Sequence, residues 1–416
     1  MILLLDWITK DGKLLLSARI VRTFSYGFLS IILAIYLKLV GFDEILIGII
    51  LSATLANSVI FNLVASFYAD KIGRRKILMI YATLMSISGS IFLLTENYVA
   101  LIFAAFIGTI NVTGTETSAF LSIEQATLPQ TVKNPKKITT VFALYNMAGT
   151  FAMSSGILLA ALPQIFEKSF RWNQIESFKP LFLIYILSGL TVVGIYFFLS
   201  KKIEIQKNKS LVRSPTNALS KKSKRIIWKM SSLFSLDSFA GGFVIQSIVS
   251  LWFFTRFEVD LTTISIIFSI GGVLTAFSFV IATKLADRIG LINTMVFTHI
   301  PSNLLLIAIA FVPTFHMALI FYLARMGLSQ MDVPTRQSYI VSIVNENERT
   351  AATGITNTSR NVAQAISPSI TGAIIQSLWL SAPFVIGGLL KIAYDLGIFV
   401  SFRKIKPIEE QNKDEN

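Results

Sequence analysis

The chain has 416 residues, 53% of them hydrophobic and 14% charged, with 33 Phe, a mean hydropathy of +0.67 and a formal net charge of +14. Soluble domains carry about a quarter charged residues, and a soluble fold of this length could not hide so much apolar surface, which a bilayer leaves facing lipid. Cysteine is absent, which excludes disulfides, thiolate nucleophiles and Cys metal sites. The bases lie mostly between apolar runs, so the positive charge reads as membrane topology rather than nucleic-acid binding.

In chain order, Met1 to Ile8 are apolar over too short a stretch to span and are interrupted by Asp6. No basic n-region and small-residue cleavage site accompany them, so no removable signal peptide is expected. Twelve segments of spanning length follow, over residues 14–39, 44–68, 76–95, 98–123, 138–162, 180–199, 228–255, 262–286, 291–312, 314–342, 350–378 and 382–402. Their apolar runs are continuous and do not alternate, which predicts helices rather than barrel strands. Polar residues interrupt the fourth, fifth, tenth and eleventh.

Between the second and third segments stands Ser66-Phe67-Tyr68-Ala69-Asp70-Lys71-Ile72-Gly73-Arg74-Arg75-Lys76; between the eighth and ninth stands Thr283-Lys284-Leu285-Ala286-Asp287-Arg288-Ile289-Gly290. One acid, one base and one glycine at the same spacing in both halves mark a duplication. It predicts an N-terminal six-helix bundle over 1–199, a basic linker over 200–227, and a C-terminal bundle with a short tail over 228–416. The basic loops (Lys71 to Lys76, Lys133 to Lys137, the linker, and Arg403 to Lys406) fall on one side. The positive-inside rule makes that side, with both termini, cytoplasmic. The linker reads as a solvated connector, with binding to anionic lipid headgroups as the other reading.

Two six-helix halves, a basic central loop and this hinge resemble the major facilitator superfamily (MFS) of secondary transporters. Its hinge pattern is met by Asp70, Lys71, Gly73, Arg74 and Arg75, with Ser66 where a Gly is usual. The second copy keeps Asp287, Arg288 and Gly290 but has Thr283 first and Leu291 where a base is usual. The resemblance implies an all-α membrane protein of 12 transmembrane helices in two pseudo-symmetric bundles. It also implies that Asp70 gates the path by meeting the start of the eleventh helix near Glu348-Arg349-Thr350, where helix amides favour negative charge. Gly73 suits a turn of positive φ.

Ionisable residues inside spanning segments are costly and are functional candidates by default. Aligning the halves sets Arg22 against Asp237, and Glu124-Gln125 against Arg336-Gln337, so acid and base are exchanged at two equivalent places. On the family analogy Glu124 is expected to pair with Arg336 and Arg22 with Asp237, with Glu116, Asp332 and Arg325 as further cavity or coupling candidates. For Arg19 the bland reading, a snorkelling or structural base, is favoured. Pro334 is expected to break the tenth segment and Pro368 the eleventh. Asn357, Asn361, Gln364 and Ser367 share one helical face, read evenly as interhelix contact or as a substrate-facing wall. In the fifth segment Asn146, Gly149, Ser154, Ser155 and Gly156 allow close helix contact, and Asn146 is a substrate-facing candidate. That segment lacks the family exporters' Gly-Pro stretch, and the fourth lacks their mid-helix Arg.

His299 and His316, placed at the outer ends of the ninth and tenth segments, have no His or Cys companion at ligand spacing, so no metal site is expected. Neither a phosphate-binding Gly-Lys-Ser/Thr loop nor a Gly-x-Ser-x-Gly elbow occurs. The expectation is therefore a monomeric, plasma-membrane secondary transporter with no catalytic residues and no cofactor. It would export a small organic solute against protons or, alternatively, take up an organic anion with them. A membrane receptor or lipid-modifying enzyme is the reading from another class.

Overall fold

The computed structural model describes residues 6–114, 116, 119–133, 138–204, 219–344 and 348–405. The helices are α1 (Lys10–Val40), α2 (Glu44–Ile72), α3 (Arg74–Leu94), α4 (Tyr98–Ile107), α5 (Ala119–Thr127), α6 (Ile138–Leu158), α7 (Leu162–Phe170) and α8 (Lys179–Phe197). They continue with α9 (Lys221–Gly242), α10 (Gln246–Phe257), α11 (Leu261–Ile289), α12 (Leu291–Ile309), α13 (Phe315–Leu328), α14 (Asp332–Ser342), α15 (Arg349–Ser377) and α16 (Ala382–Phe402). Among the described residues, nine stretches are long and apolar enough to cross a bilayer. The predicted fourth, tenth and eleventh segments are not among those nine. The fourth and tenth are broken, as α4–α5 and α13–α14, and the eleventh is α15, rich in Ser, Thr, Asn and Gln.

The chain divides into two compact units, 1–208 with 245–269, and 209–244 with 270–416. The first unit thus takes in α10 and the start of α11, a different partition from the two bundles expected at 1–199 and 228–416. Within this unit Ser247 donates to the Ser30 carbonyl (2.7 Å) and Ser250 to that of Ile31 (2.8 Å), while the Gln246 amide donates to the Ser30 hydroxyl (3.0 Å). In hydrocarbon such bonds between small side chains and backbone, together with close packing, hold helices together where the hydrophobic effect cannot.

Within the first unit α1 is the axis. Its residues from Ser25 to Leu37 are nearly all sealed from the surface, with α6, α8 and α10 against it. The α1–α6 approach is backbone to backbone: a Cβ on Gly27 would stand 2.2 Å from the Met153 carbonyl oxygen, and one on Gly156 1.8 Å from that of Phe24. The small residues of the fifth segment are therefore where close contact requires them. Aromatic and aliphatic side chains (Tyr81, Phe120, Tyr196 and neighbours) fill the core among α2, α3, α5 and α8. In the second unit α9 packs on α15 and α16, and α12 on α13, α14 and α16, around Phe234, Met295, Tyr339 and Phe402.

Both copies of the hinge make the turn that the sequence calls for. Gly73 has φ 109° and Gly290 φ 86°, each between two helices. A side chain is strained there, and glycine is not.

Candidate functional site

The intramembrane charges come together in two clusters, each inside one unit. In the first, the Glu124 carboxylate is wholly buried and accepts four bonds. Oε1 takes Arg22 Nη1 (3.3 Å) and the Tyr196 hydroxyl (2.6 Å); Oε2 takes Arg22 Nη2 (2.8 Å) and the Tyr145 hydroxyl. Glu116, in the break between α4 and α5, takes Arg22 Nε (2.8 Å) on one oxygen and lies 2.9 Å from Arg19 Nη1 on the other. The Arg19 guanidinium also covers the Tyr145 ring at 3.9 Å. Two bases thus meet two acids, and each acid has more than one donor. Arg19, read as a snorkelling or structural base, is buried and paired.

The second cluster is built on Asp237 of α9. Its Oδ1 accepts from Lys391 Nζ of α16 (2.7 Å), and its Oδ2 lies 3.1 Å from Arg360 Nη1 of α15 and 3.5 Å from Arg336 Nη1 of α14. Arg336 also bonds Asp332 one turn before it (2.5 Å). Asp395 of α16 closes the group, with Oδ1 2.8 Å from His299 Nδ1 and Oδ2 accepting from Asn303 (3.0 Å). Asp237, Asp332 and Asp395 therefore face Arg336, Arg360 and Lys391, three acids to three bases, with a histidine between two of the acids.

The expected pairs are corrected by this geometry. Glu124 takes Arg22 instead of Arg336, and Asp237 takes Lys391, Arg360 and Arg336 instead of Arg22, so each acid finds its base within its own unit. The inferred exchange of sign survives in another form. The first and fourth segments carry Arg22–Glu124, and the seventh and tenth carry Asp237–Arg336, the same pair with its polarity reversed. His299 is corrected too: it sits within α12, buried at 3% exposure, while His316 is exposed at the start of α13.

Arg360, Lys391 and Asp395 were missed, although ionisable residues in the segments 350–378 and 382–402 met the same criterion as the others. The Asn/Gln stripe drew the reading of the eleventh segment, and the strong apolarity of the twelfth hid its pair. In that stripe, Ser367 donates to the Phe239 carbonyl (2.6 Å) and is interhelix contact. Asn357 is exposed, and Asn361 and Gln364 are half-buried; Asn146 on α6 is exposed.

Arg325, at the end of α13, meets no carboxylate among the described residues. Its Nε is buried without a hydrogen-bond partner, and its Nη1 reaches only the Met326 sulfur at 4.0 Å. Ser329, four residues on and 4% exposed, has a buried hydroxyl that is likewise unpartnered. Arg325 precedes the interruption of the tenth segment at Ser329–Met331, and Ser329 opens it. The break lies before Pro334, which is the third residue of α14, where a missing N–H costs nothing. Pro368 lies inside α15, which runs through it.

At the first hinge the side chains of Asp70 and Lys71 lie outside the described residues, as do those of Arg349 and Thr350. Arg74 is buried, with Nη1 3.4 Å from the Ile203 carbonyl oxygen; Arg75 donates to the Phe197 carbonyl (2.5 Å). Glu204, unread in the sequence, accepts from the backbone amides of Arg74 (2.7 Å) and Arg75 (3.2 Å), so a carboxylate beyond α8 caps α3. The second copy is open: Asp287, Arg288 and Gly290 are exposed, and a Cβ on Gly290 would meet nothing within 4 Å. Among the described residues no group of His, Cys, Asp and Glu could hold a metal ion.

The profile of the Major Facilitator Superfamily matches residues 15–331 and 304–416. The uncharacterized membrane protein YJR124C of Saccharomyces cerevisiae is 24% identical over 417 residues, covering 93% of each chain. Among solved structures, the nucleoside transporter NupG is 15% identical with a TM-score of 0.73, over 95% of this chain and 99% of that one. A D-xylose-proton symporter is 13% identical with a TM-score of 0.69, over 94% and 97%. At such identities the structural likeness speaks for the fold alone, whereas the profile covers nearly the whole sequence. The chain is a multi-pass membrane protein of the transporter type, and it belongs to the major facilitator superfamily.

Proposed function

We propose that this transporter moves a small organic solute bearing an anionic group, coupled to protons, with Arg325 and Ser329 as the anchor of that group. The observation that carries the reading is the charge balance. The bases of the two clusters all face acids, whereas Arg325, which belongs to neither cluster, meets no carboxylate among the described residues. A guanidinium held inside a membrane protein without a counter-ion is destabilising by several kcal/mol. A carboxylate or phosphate would offset that cost through the planar fork of N–H donors, and Ser329, on the same helical face, adds a hydroxyl. The break between α13 and α14 supports the placement, because discontinuous helices are where membrane transporters build their sites. Export against protons and uptake of an organic anion were both open from the sequence. Arg325 favours the anion.

In this reading the protein works as a monomer in the plasma membrane, with its basic loops and both termini cytoplasmic, and exposes the anchor to each side in turn. Glu124, whose carboxylate accepts four hydrogen bonds from Arg22, Tyr145 and Tyr196, is assigned a structural role in this reading. The test is dissipation of a pH gradient in proteoliposomes by a panel of anionic, neutral and cationic solutes. Anionic solutes should move protons through wild type and fail with Arg325→Gln. Proton movement driven only by cationic or neutral solutes, and unchanged in Arg325→Gln, would refute the reading.

A further inference from the structure

The second cluster contains a ring that its balance of three acids and three bases does not call on for charge. An apolar side chain would fill the space of His299 in α12 and spare the membrane interior a polar ring. Instead the imidazole lies between two carboxylates. Nδ1 is 2.8 Å from Asp395 Oδ1, and Nε2 is 4.0 Å from Asp237 Oδ1. Asn303, one turn along α12, is 3.3 Å from Nδ1 and donates to the other Asp395 oxygen, which fixes the carboxylate against the ring. Tyr394 stands edge-on, with its ring centroid 6.0 Å away. The surrounding charges are Asp237 from α9, Lys391 and Asp395 from α16, and Asp332 and Arg336 from α14, the last joined with Arg360 of α15 to Asp237. From α13, Arg325 and His316 make no ion pair with it.

We infer that the proton handled by this transporter binds at His299, between Asp395 and Asp237. The charge count gives the site its meaning. With a neutral imidazole, Asp237, Asp332 and Asp395 balance Lys391, Arg336 and Arg360. One added proton forms an N–H bond at Nε2, breaks no other bond, and leaves the cluster with one positive charge in excess. Nε2 lies 4.0 Å from Asp237 Oδ1, which Lys391 already holds. The imidazolium then joins Lys391, Arg360 and Arg336 as a fourth cationic neighbour of Asp237. Of these, Arg360 is the most exposed, at 19% of its side chain, against 10% or less for the others. Protonation therefore loosens Arg360 first and adds positive potential to the unit that carries Arg325, so proton and anion favour each other's binding. Linkage makes the effect reciprocal. The inference rests on the proton-coupled reading, but its test does not need the substrate.

The chain has only two histidines, and His316 is exposed, so His316→Gln leaves a single ring to observe. The protein is labelled with 15N-histidine, placed in nanodiscs and followed by NMR from pH 5 to 9, with thermal unfolding as the check on folding. The Nε2 signal should pass from a protonated to an unprotonated ring nitrogen as the pH rises. In Asp395→Asn the midpoint should fall by about one unit, a tenfold weaker hold on the proton, because the carboxylate that stabilises the imidazolium is gone. A ring that stays in one state across the range overturns the inference, as does a midpoint that Asp395→Asn leaves in place. If His299 titrates but no anion depends on Arg325, the proton site stands and the anion reading falls alone.

Discussion

Glu124 and Arg325 are both ionisable residues within spanning segments, and the sequence ranks them equally; their surroundings give them opposite characters. Glu124 has four donors and no exposure. Glu124→Gln should therefore act as the loss of one partner of a buried pair, destabilising by roughly 3–5 kcal/mol. The pH dependence of transport should keep its shape. Unfolding in mixed micelles measures the first and proteoliposome assays the second; a stable Glu124→Gln protein with altered coupling would restore Glu124 as the proton carrier. Arg325→Gln, by contrast, removes a cation that no carboxylate among the described residues offsets, and should leave the melting temperature unchanged or higher. That these positions hold charge was legible from the sequence, since a base or acid in a hydrophobic run stands out. Which acid meets which base was not, because Arg22 and Glu124 are 102 residues apart and the pairing depends on how α1, α5, α6 and α8 pack.

At the level of the helix, the hinge is the most legible element. The repeated Asp-x-x-Gly spacing predicts a turn at Gly73 and Gly290, and both take positive φ. Gly73→Ala and Gly290→Ala should each cost about 1–3 kcal/mol of backbone strain. Gly73→Ala should cost more, because its Cβ would also press on the Glu204 carboxylate at 3.2 Å, whereas that of Gly290 would meet open space. Removing the carboxylate in a Gly73→Ala/Glu204→Ala double variant should relieve that excess. Equal losses from the two single variants would contradict the capping role assigned to Glu204. Glu204 could not be read beforehand, since nothing in Lys201 to Ile205 shows that this carboxylate reaches the amides of α3. The interruptions were half legible. Polar residues marked the fourth, fifth and tenth segments, but the break of the seventh between Gly242 and Gln246 was not anticipated. In the tenth, Pro334 drew attention from Ser329–Met331, where the helix stops.

Across the whole molecule, composition decided the bilayer and the hinge repeat decided the family. The alignment of halves that set Arg22 against Asp237, and Glu124 against Arg336, found the positions at which a duplicated pair kept its place and exchanged its sign. Its error was to read equivalence as contact. One half thus centres on a carboxylate clasped by arginine and tyrosine, and the other on a carboxylate clasped by three bases with a histidine in reach. Both clusters balance their charges, and Arg325, outside them, is a cation that meets no carboxylate among the described residues.

The most direct test of that account is ligand-dependent thermal stability of the purified protein, across a panel of small carboxylates and phosphates and their neutral amides or esters. A ligand at a hundred times its Kd stabilises by about 2.7 kcal/mol, a readily measured shift. The account predicts that particular anions stabilise wild type, that their neutral counterparts do not, and that Arg325→Gln abolishes the effect. Stabilisation by neutral or cationic compounds alone, retained in full by Arg325→Gln, would contradict it.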